Sequence, residues 1–147
     1  MTVIDSDIFI IAARFPRDQR SAENQRFLAL VRQHPNLFAT TVFNKLEVMG
    51  ELSFGMNEAQ FDRFWQEFEG HFGVRLLMPQ GVADLQGFLA ALLPYLKRKM
   101  ALGDALVLMV AESHPEVDTF ITWNAKHFRG KTHLAVLTPS EFLRRKG

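Results

Sequence analysis

Short apolar segments of strand length alternate with helical segments along nearly the whole of this 147-residue chain. Strands that run in the same direction need a crossover connection, usually a helix, so this alternation favours a parallel sheet. No stretch rich in Pro, Gly or Ser divides the chain, and we predict one domain over 1–147. The predicted strands are 2–5, 37–40, 74–79, 117–124 and 132–139. The pattern therefore predicts an α/β fold, with a central parallel sheet flanked by helices.

Polar residues that can cap a helix precede several of the predicted helices. The predicted N-caps are Asp7, Thr40 or Thr41, and Asn57. Gly70 is expected to end the helix that Asn57 begins. A helix over 81–99 is expected to bend or split at Pro94, because proline cannot donate a backbone hydrogen bond. The other predicted helices are 8–15, one that opens at Ser21, 101–114 and 140–146.

The composition narrows the classes of protein to consider. With no Cys, the chain has no disulfides and no thiolate metal ligands. Its apolar runs fall short of the ~18 residues that cross a membrane, and its start lacks the basic segment of a signal peptide, so we expect a cytoplasmic protein. The formal net charge is only +1, but gathering four acids in one site would leave +1 plus 4, or +5, on the rest.

Acidic and polar side chains follow the predicted strands or lie on the helices beside them. In open parallel sheets, the functional crevice lies beyond the carboxyl ends of the strands. Residues from distant parts of the chain can therefore meet there. The candidates are Asp5, Asp7, Glu47, Asp104, Thr122 and Asn124.

Asp104 is the most informative of these acids. It starts a helix that continues ALVLMVA, so its carboxylate is expected to be half-buried beside apolar neighbours. Keeping an unpaired carboxylate charged there costs several kcal/mol, of which the helix dipole offsets ~1 kcal/mol. A divalent cation shared with Asp5 and Glu47 would offset more. Oxygen ligands without Cys or paired His indicate Mg²⁺ or Mn²⁺.

Five motifs occur in an order that resembles a known family. They are VIDSDIFI, Glu47 within TTVFNKLEVMG, GDALVLMVA around Asp104, FITWNAKHF and the closing VLTPSEFL. Together they resemble the PIN-domain ribonucleases, specifically the VapC-like toxins of bacterial toxin–antitoxin modules, over nearly the whole chain. The resemblance implies a Rossmann-like three-layer PIN fold and Mg²⁺- or Mn²⁺-dependent cleavage of RNA. It also implies a homodimer and a small inhibitory antitoxin partner.

The resemblance implies roles for the residues at matching positions. The implied metal ligands, which are also catalytic, are Asp5, Glu47 and Asp104. Ser6 matches the small hydroxyl residue after the first acid, Asp7 occupies a place often held by Asn, and Thr122 supports the site. Asn124 stands where the family usually has a fourth acid, and we expect it to orient a water. Because Asn124 brings no charge, the number of metal ions, one or two, stays open.

Basic residues at loop and helix ends are candidates to bind the RNA backbone. They are Arg14, Arg17, Arg20, Lys97, Arg98 and Lys99. For the run 97–99 the alternative is a solvated helix end. Glu51, one helical turn after Glu47, is the alternative second acid.

Aromatic and His residues have structural alternatives too. Four aromatic residues form a helical stripe that predicts core packing, or else a groove for an antitoxin helix or a dimer partner. They are Phe61, Phe64, Trp65 and Phe68. Trp123 is expected to pack, with base stacking as the alternative. Among the His residues, His127 alone lies in the loop after the fourth strand and is a candidate for the site.

These acids have three alternative interpretations. The start DSDIF is similar to haloacid-dehalogenase-type phosphatases, but those need Thr at the position of Phe9 and two late acids. A response-regulator receiver needs an Asp at the end of the third strand, which here reads LLMP. The stronger alternative is a catalytically silent PIN-like domain that binds RNA or a protein partner. Asn124 supports that alternative.

Overall fold

A computed structural model describes residues 1–146 and contains five strands and seven α-helices in alternating order. Two short 3-10 turns, Ser53–Gly55 and Ala125–His127, complete it. The strands are β1 (Thr2–Ile4), β2 (Phe38–Thr41), β3 (Arg75–Leu77), β4 (Thr119–Ile121) and β5 (Ala135–Leu137). The helices are α1 (Ser6–Arg14), α2 (Ser21–Gln33), α3 (Val42–Leu52), α4 (Glu58–Phe72), α5 (Leu85–Leu96), α6 (Leu102–Glu112) and α7 (Pro139–Lys146).

The five strands form one sheet in the order β3-β2-β1-β4-β5, and every neighbouring pair is parallel. In the centre, Val3 lies opposite Ala39 on one side and Phe120 on the other. Helices cover both faces of the sheet. The predicted α/β architecture, a parallel sheet in a three-layer arrangement, is confirmed.

Successive residues of the central strands enter two separate cores, as the two-residue period of a strand requires. Val3 and Phe120 pack with α5 and α6 on one face. Ile4 and Ile121 pack on the other face, against α1, α2, α4 and α7. Both faces are therefore buried, which explains why the strands read as short apolar runs rather than as alternating patterns.

The helix caps are partly as predicted. Thr41 and Asn57 cap α3 and α4, and each is paired with its third helical residue in a capping box. The predicted cap Asp7 is wrong, because Asp5 caps α1 and accepts a hydrogen bond from the Ser6 backbone N–H. The helix therefore begins two residues earlier than expected, and Asp7 lies in its first turn.

Two predicted helix ends are also wrong. α4 continues past Gly70 to Phe72, and Gly73 ends it in a left-handed conformation with φ +73°. Phe72 is buried in the core, and this burial stabilises the two additional helical residues. α5 is shorter than the predicted 81–99, because Asp84 caps it and it ends at Leu96. Pro94 lies in its last turn and does not split it.

Four of the strands are shorter than predicted, and β2 keeps its four residues but begins one residue later, at Phe38. The predicted strand 117–124, for example, pairs only over Thr119–Ile121. The polar residues Asp5, Thr122 and Thr138 directly follow β1, β4 and β5 and remain available for other contacts. None of the helices within residues 1–146 is both long and apolar enough to cross a membrane.

The predicted aromatic stripe of α4 is core on one side only. Phe68 is fully buried and its ring centroid lies 5.1 Å from that of Phe9. Trp65 is partly exposed, and the Lys45 ammonium lies 3.8 Å from its ring centroid. Phe61 and Phe64 are also partly exposed. One side of α4 therefore packs in the core, and the other side lies at the surface beside α3.

Candidate active site

The carboxyl ends of β1 and β4 meet at the centre of the sheet. From β1 the chain moves to one edge through β2 and β3, and then crosses back to β4 on the other side of β1. Such a reversal of strand order opens a crevice between the carboxyl ends of the two strands, where ligands bind in open α/β sheets. Asp5 follows β1 and Thr122 follows β4. Of the predicted site residues, Asp5 and Thr122 therefore border this crevice.

Asp5 is held by hydrogen bonds on both carboxylate oxygens. Its Oδ1 accepts from the Ser6 backbone N–H at 2.8 Å and from Nδ2 of Asn44 at 2.9 Å. Its Oδ2 accepts from Oγ1 of Thr122 at 2.7 Å. All three partners are buried, as Asp5 itself is. The orientation of this carboxylate is thus set by the protein alone.

Asp7 faces the same hydroxyl group. Its Oδ2 accepts from the Trp123 backbone N–H at 2.9 Å, from Oγ1 of Thr122 at 3.2 Å and from Nδ2 of Asn124 at 3.4 Å. Its Oδ1 is buried and has no hydrogen-bond partner within residues 1–146. A buried carboxylate oxygen without a partner is costly, so this atom marks a place for a ligand.

The two carboxylates oppose each other's ionisation. Burial, followed by the charge of Asp7, raises the pKa of Asp5 to about 8, and the charge of Glu47 adds to the effect. Burial raises the pKa of Asp7 to about 6, against hydrogen bonds from Trp123 and Thr122. The Thr122 hydroxyl has one proton and can satisfy only one of the two carboxylates at a time. The protein therefore leaves negative charge at this point without full compensation.

These shifts predict how the stability of the metal-free protein depends on pH. The folded-state pKa of Asp5 lies above its unfolded value of 3.8, so the folded protein binds the additional proton between about pH 4 and about pH 8. Its free energy of unfolding is expected to fall as the pH rises through that window. Urea denaturation at a series of pH values checks this, and Asp5→Asn should show a flatter profile than the wild type.

Glu47 adjoins the crevice from α3. Its charge acts on Asp5, and its Oε2 lies 3.8 Å from the position that a Cβ on Gly103 would occupy. Gly103 belongs to the first turn of α6, so Glu47 lies between β1 and that helix. The alternative acid, Glu51, is instead paired with Arg14 at 3.2 Å. This arrangement favours Glu47 over Glu51 as the second acid.

Asp104 lies in the first turn of α6 and is half-buried, as the sequence predicts. Burial raises its pKa, and the charges of His127 and Lys131 oppose this. Nδ1 of His127 is 4.0 Å from the Asp104 carboxylate. The charged groups that act on Asp104 are thus these two, and not the Asp5–Asp7 pair.

The donor set fits a hard divalent cation. The unpartnered Oδ1 of Asp7 and the raised pKa of Asp5 both indicate a missing positive charge, and carboxylate oxygens are the ligands that Mg²⁺ prefers. Over residues 1–146, no three His, Asp or Glu side chains lie close enough together to form a complete metal cluster. The fit therefore rests on the Asp5–Asp7 pair, and Glu47 and Asp104 stay predicted ligands.

Asn44 is a site residue that the sequence analysis missed. It is fully buried; its Nδ2 donates to Asp5, and its Oδ1 accepts from Oγ1 of Thr41 at 2.8 Å. It thereby ties the end of β2 to the end of β1. Two signals were visible in the sequence: the spacing of Thr41 and Asn44 is that of a capping box, and Asn44 precedes Glu47 by one helical turn.

The three predicted basic contacts that follow α1 or end it divide into two groups. Arg20 faces the site, because its guanidinium carbon lies 5.9 Å from the Trp123 ring centroid and its charge acts on Asp7. Arg14 lies at the far end of α1, where it binds Glu51, and the exposed Arg17 follows it. Nε1 of Trp123 donates to Oδ1 of the buried Asn24 at 2.8 Å, which favours packing over base stacking for this indole.

The parallel sheet with helices on both faces is an α/β three-layer fold that matches PIN-domain structural neighbours. The chain is similar to VapBC2 from Rickettsia felis, solved bound to a DNA fragment from its promoter, with 17% identity and a TM-score of 0.63. That match covers 93% of this chain and 97% of the other.

A second similar structure is FitAcB from Neisseria gonorrhoeae, with 14% identity and a TM-score of 0.59. This match covers 95% of this chain and 99% of the other. No protein-family model matches the sequence, and no curated protein matches it. At these identities the similarity establishes the PIN fold.

Proposed function

We propose that this protein is a Mg²⁺- or Mn²⁺-dependent endoribonuclease, the toxin of a toxin–antitoxin pair that acts on RNA in the cytoplasm and so inhibits growth. The observation that carries the proposal is the Asp5–Asp7 pair at the point where the strand order reverses, with one buried carboxylate oxygen left unpartnered. The toxin role follows from the sequence resemblance to VapC-like toxins, and the fold shared with VapBC2 and FitAcB supports it.

The residues that would hold the ion are Asp5, Glu47 and Asp104, and the carboxylate of Asp7 would add negative charge beside Asp5. When bound, such an ion neutralises charge on the phosphodiester and activates the attacking water. Asn44 and Thr122 orient Asp5 before the ion arrives, which avoids reorganisation during the reaction. Nδ2 of Asn124 donates to Oδ2 of Asp7, and we expect Asn124 to orient a water. An exposed RNA loop or single strand is the substrate whose backbone can bend into the crevice.

The resemblance to VapC-like toxins extends the proposal to partners. We expect a homodimer and a small antitoxin protein that inhibits the nuclease. The partly exposed aromatic residues Phe61, Phe64 and Trp65 on α4 offer apolar surface for such a partner.

A second candidate function is a PIN domain that binds RNA without cutting it. Asn124 favours it, because this residue donates to Asp7 and brings no fourth charge to the site. A site with less negative charge binds a second cation more weakly. Metal-dependent cleavage decides between the two functions.

The test combines cleavage with metal binding. In a metal-stripped sample, millimolar Mg²⁺ or Mn²⁺ is expected to raise the melting temperature by mass action and to start cleavage of a structured RNA. Asp104→Asn should lose the cleavage, and its metal-free form should be at least as stable as the wild type, since a half-buried charge is removed.

Each result has a defined meaning. Cleavage that persists in EDTA would overturn the proposed metal dependence. A rise in melting temperature without cleavage would support the silent domain. A loss of several degrees in metal-free Asp104→Asn would instead show that Asp104 acts as a structural helix-start residue.

A further inference from the structure

Asn24 is a polar residue at a position of α2 that belongs to the core. The buried residues of α2 are Asn24, Phe27, Leu28 and Val31, and their spacing is that of a single apolar stripe. Asn24 is fully buried at the start of this stripe. A buried carboxamide needs hydrogen-bond partners within the protein, so its contacts identify its role.

Both ends of the Asn24 carboxamide are used. Nδ2 donates to the carbonyl of Ile8 in α1 at 2.9 Å, and Oδ1 accepts from Nε1 of Trp123 at 2.8 Å. An indole N–H can only donate and a carbonyl can only accept, so one orientation of the amide satisfies both. An Asp at this position would place an oxygen against the carbonyl, and a Leu would leave the indole N–H unpaired.

The core itself does not require this polar pair. The Ile8 carbonyl lies within α1, where the backbone N–H four residues further on already pairs with it. The Trp123 ring packs against the core that contains Ile4 and Ile121, and a Phe ring there would need no hydrogen bond. Replacing two buried partners by apolar groups of similar shape is often nearly neutral. The hydrogen bond between Asn24 and Trp123 therefore serves mainly to fix where the indole lies.

Trp123 carries this fixed position into the site. Its backbone N–H donates to Oδ2 of Asp7 at 2.9 Å. Its neighbours Thr122 and Asn124 contact the same oxygen atom, at 3.2 Å and 3.4 Å. The segment 122–124 thus holds one oxygen of Asp7 from three directions, and the indole attaches this segment to α2 and, through Asn24, to α1.

We propose that Asn24 is a positioning residue for the Asp5–Asp7 pair. It holds the Trp123 indole, and thereby the backbone N–H that fixes the Asp7 carboxylate beside Asp5. This inference rests on the proposed function, because it assumes that the pair attracts a divalent cation. Groups that orient the charged residues of a metal site typically contribute about ten- to a hundredfold to metal affinity. The helix α2, which carries none of the predicted metal ligands, then takes part in forming the site.

The test separates metal affinity from stability in three variants of the full, metal-stripped chain. Asn24→Leu leaves the indole N–H unpaired, Trp123→Phe leaves Oδ1 of Asn24 unpaired, and the double variant leaves neither group unpaired. Each single variant is expected to weaken Mn²⁺ binding about tenfold in a calorimetric titration, and to lower the melting temperature of the metal-free protein. The double variant should melt above Trp123→Phe, while its Mn²⁺ affinity should stay about tenfold below that of the wild type.

Two further measurements accompany the titration. The chain has two Trp residues, so its NMR spectrum contains two indole N–H signals. The Trp123 signal should lose its protection from hydrogen exchange in Asn24→Leu, while the Trp65 signal should not change. Val117→Ala is the matched control, since it removes buried apolar atoms from the core on the other face of the sheet. It should lower the melting temperature and leave the Mn²⁺ affinity unchanged.

Three results would overturn the proposal. The first is an unchanged Mn²⁺ affinity in Asn24→Leu, and the second is an equal loss of affinity in Asn24→Leu and Val117→Ala. The third is recovery of the Mn²⁺ affinity together with the melting temperature in the double variant, because Asn24 would then act on stability alone. Failure of the nuclease function is distinguishable: a wild type that binds Mn²⁺ without cleaving RNA overturns that function and keeps the positioning role. A wild type that binds no Mn²⁺ overturns both.

Discussion

Asp5→Asn is expected to lower the rate of metal-dependent RNA cleavage by more than about a hundredfold, because the change removes a charged metal ligand worth several kcal/mol in the transition state. The same substitution is expected to stabilise the metal-free protein at pH 8. Burial and the charge of Asp7 make ionised Asp5 costly there, and Asn carries no charge.

The hydrogen bonds around position 5 are compatible with Asn. In the variant, Oδ1 of the asparagine can accept from the Ser6 backbone N–H and from Asn44, as Oδ1 of Asp5 does. Its Nδ2 can donate to Oγ1 of Thr122. The Thr122 proton is then free to serve Asp7 at all times. Asn is also a good N-cap, so α1 keeps its start.

Cleavage rates and urea denaturation midpoints of the same samples check both effects. Asp62→Asn is the matched control, since Asp62 is an exposed acid on α4 and should change neither quantity. Full activity in Asp5→Asn would contradict the assignment of Asp5 as a ligand. A strong loss of stability in the metal-free variant would contradict the electrostatic account of the site.

Glu69→Ala is expected to destabilise the protein by about 3 kcal/mol, because it leaves the ammonium of Lys45 buried without its partner. Nζ of Lys45 lies 2.6 Å from Oε1 of Glu69, and the lysine side chain is only 4% exposed. The aromatic faces of Trp65 and Phe68 offset part of the loss. This ion pair joins α3, which carries Asn44 and Glu47, to α4.

Lys45→Met is the matched variant and is expected to cost less than about 1 kcal/mol. Met has a similar length and packs well against aromatic rings. Oε1 of Glu69 is buried, but the Glu69 side chain is 33% exposed and can turn its carboxylate toward water. Urea denaturation measures both changes in the free energy of unfolding, provided that its dependence on urea concentration is the same in each variant. Equal costs for the two variants would show that the buried charge is not the dominant factor.

The sequence predicted the helix caps best, because the residue types at these positions have one common structural role. Thr41 and Asn57 cap helices as predicted, since a hydroxyl or amide before a helical pattern needs no distant partner. The caps and ends that were mispredicted depend on distant residues. α4 passes Gly70 because Phe72 finds a place in the core beside Phe9, at 4.7 Å between ring centroids.

Asp5 and Asp7 show the same limit within the site. In the sequence, two acids two residues apart are equally good candidates for the N-cap of α1. The partners that surround each acid in the folded chain decide which of them caps the helix. Thr122 and Asn44, 117 and 39 residues away, converge on Asp5, and Trp123 approaches Asp7 from β4. Asn44 was missed because its partner Asp5 is adjacent only in the folded chain.

From the order of residues alone, one can derive the alternation of strands and helices, the parallel sheet and the position of Asp5 and Thr122 beyond the carboxyl ends of neighbouring strands. These follow from local periodicity and from the short range of backbone geometry. Tertiary structure alone decided which acid caps α1, that Asp7 keeps an unpartnered oxygen, and that Glu51 is paired with Arg14 while Glu47 adjoins the crevice. Burial and electrostatic coupling depend on the distances between segments remote in sequence, and no local pattern encodes those distances.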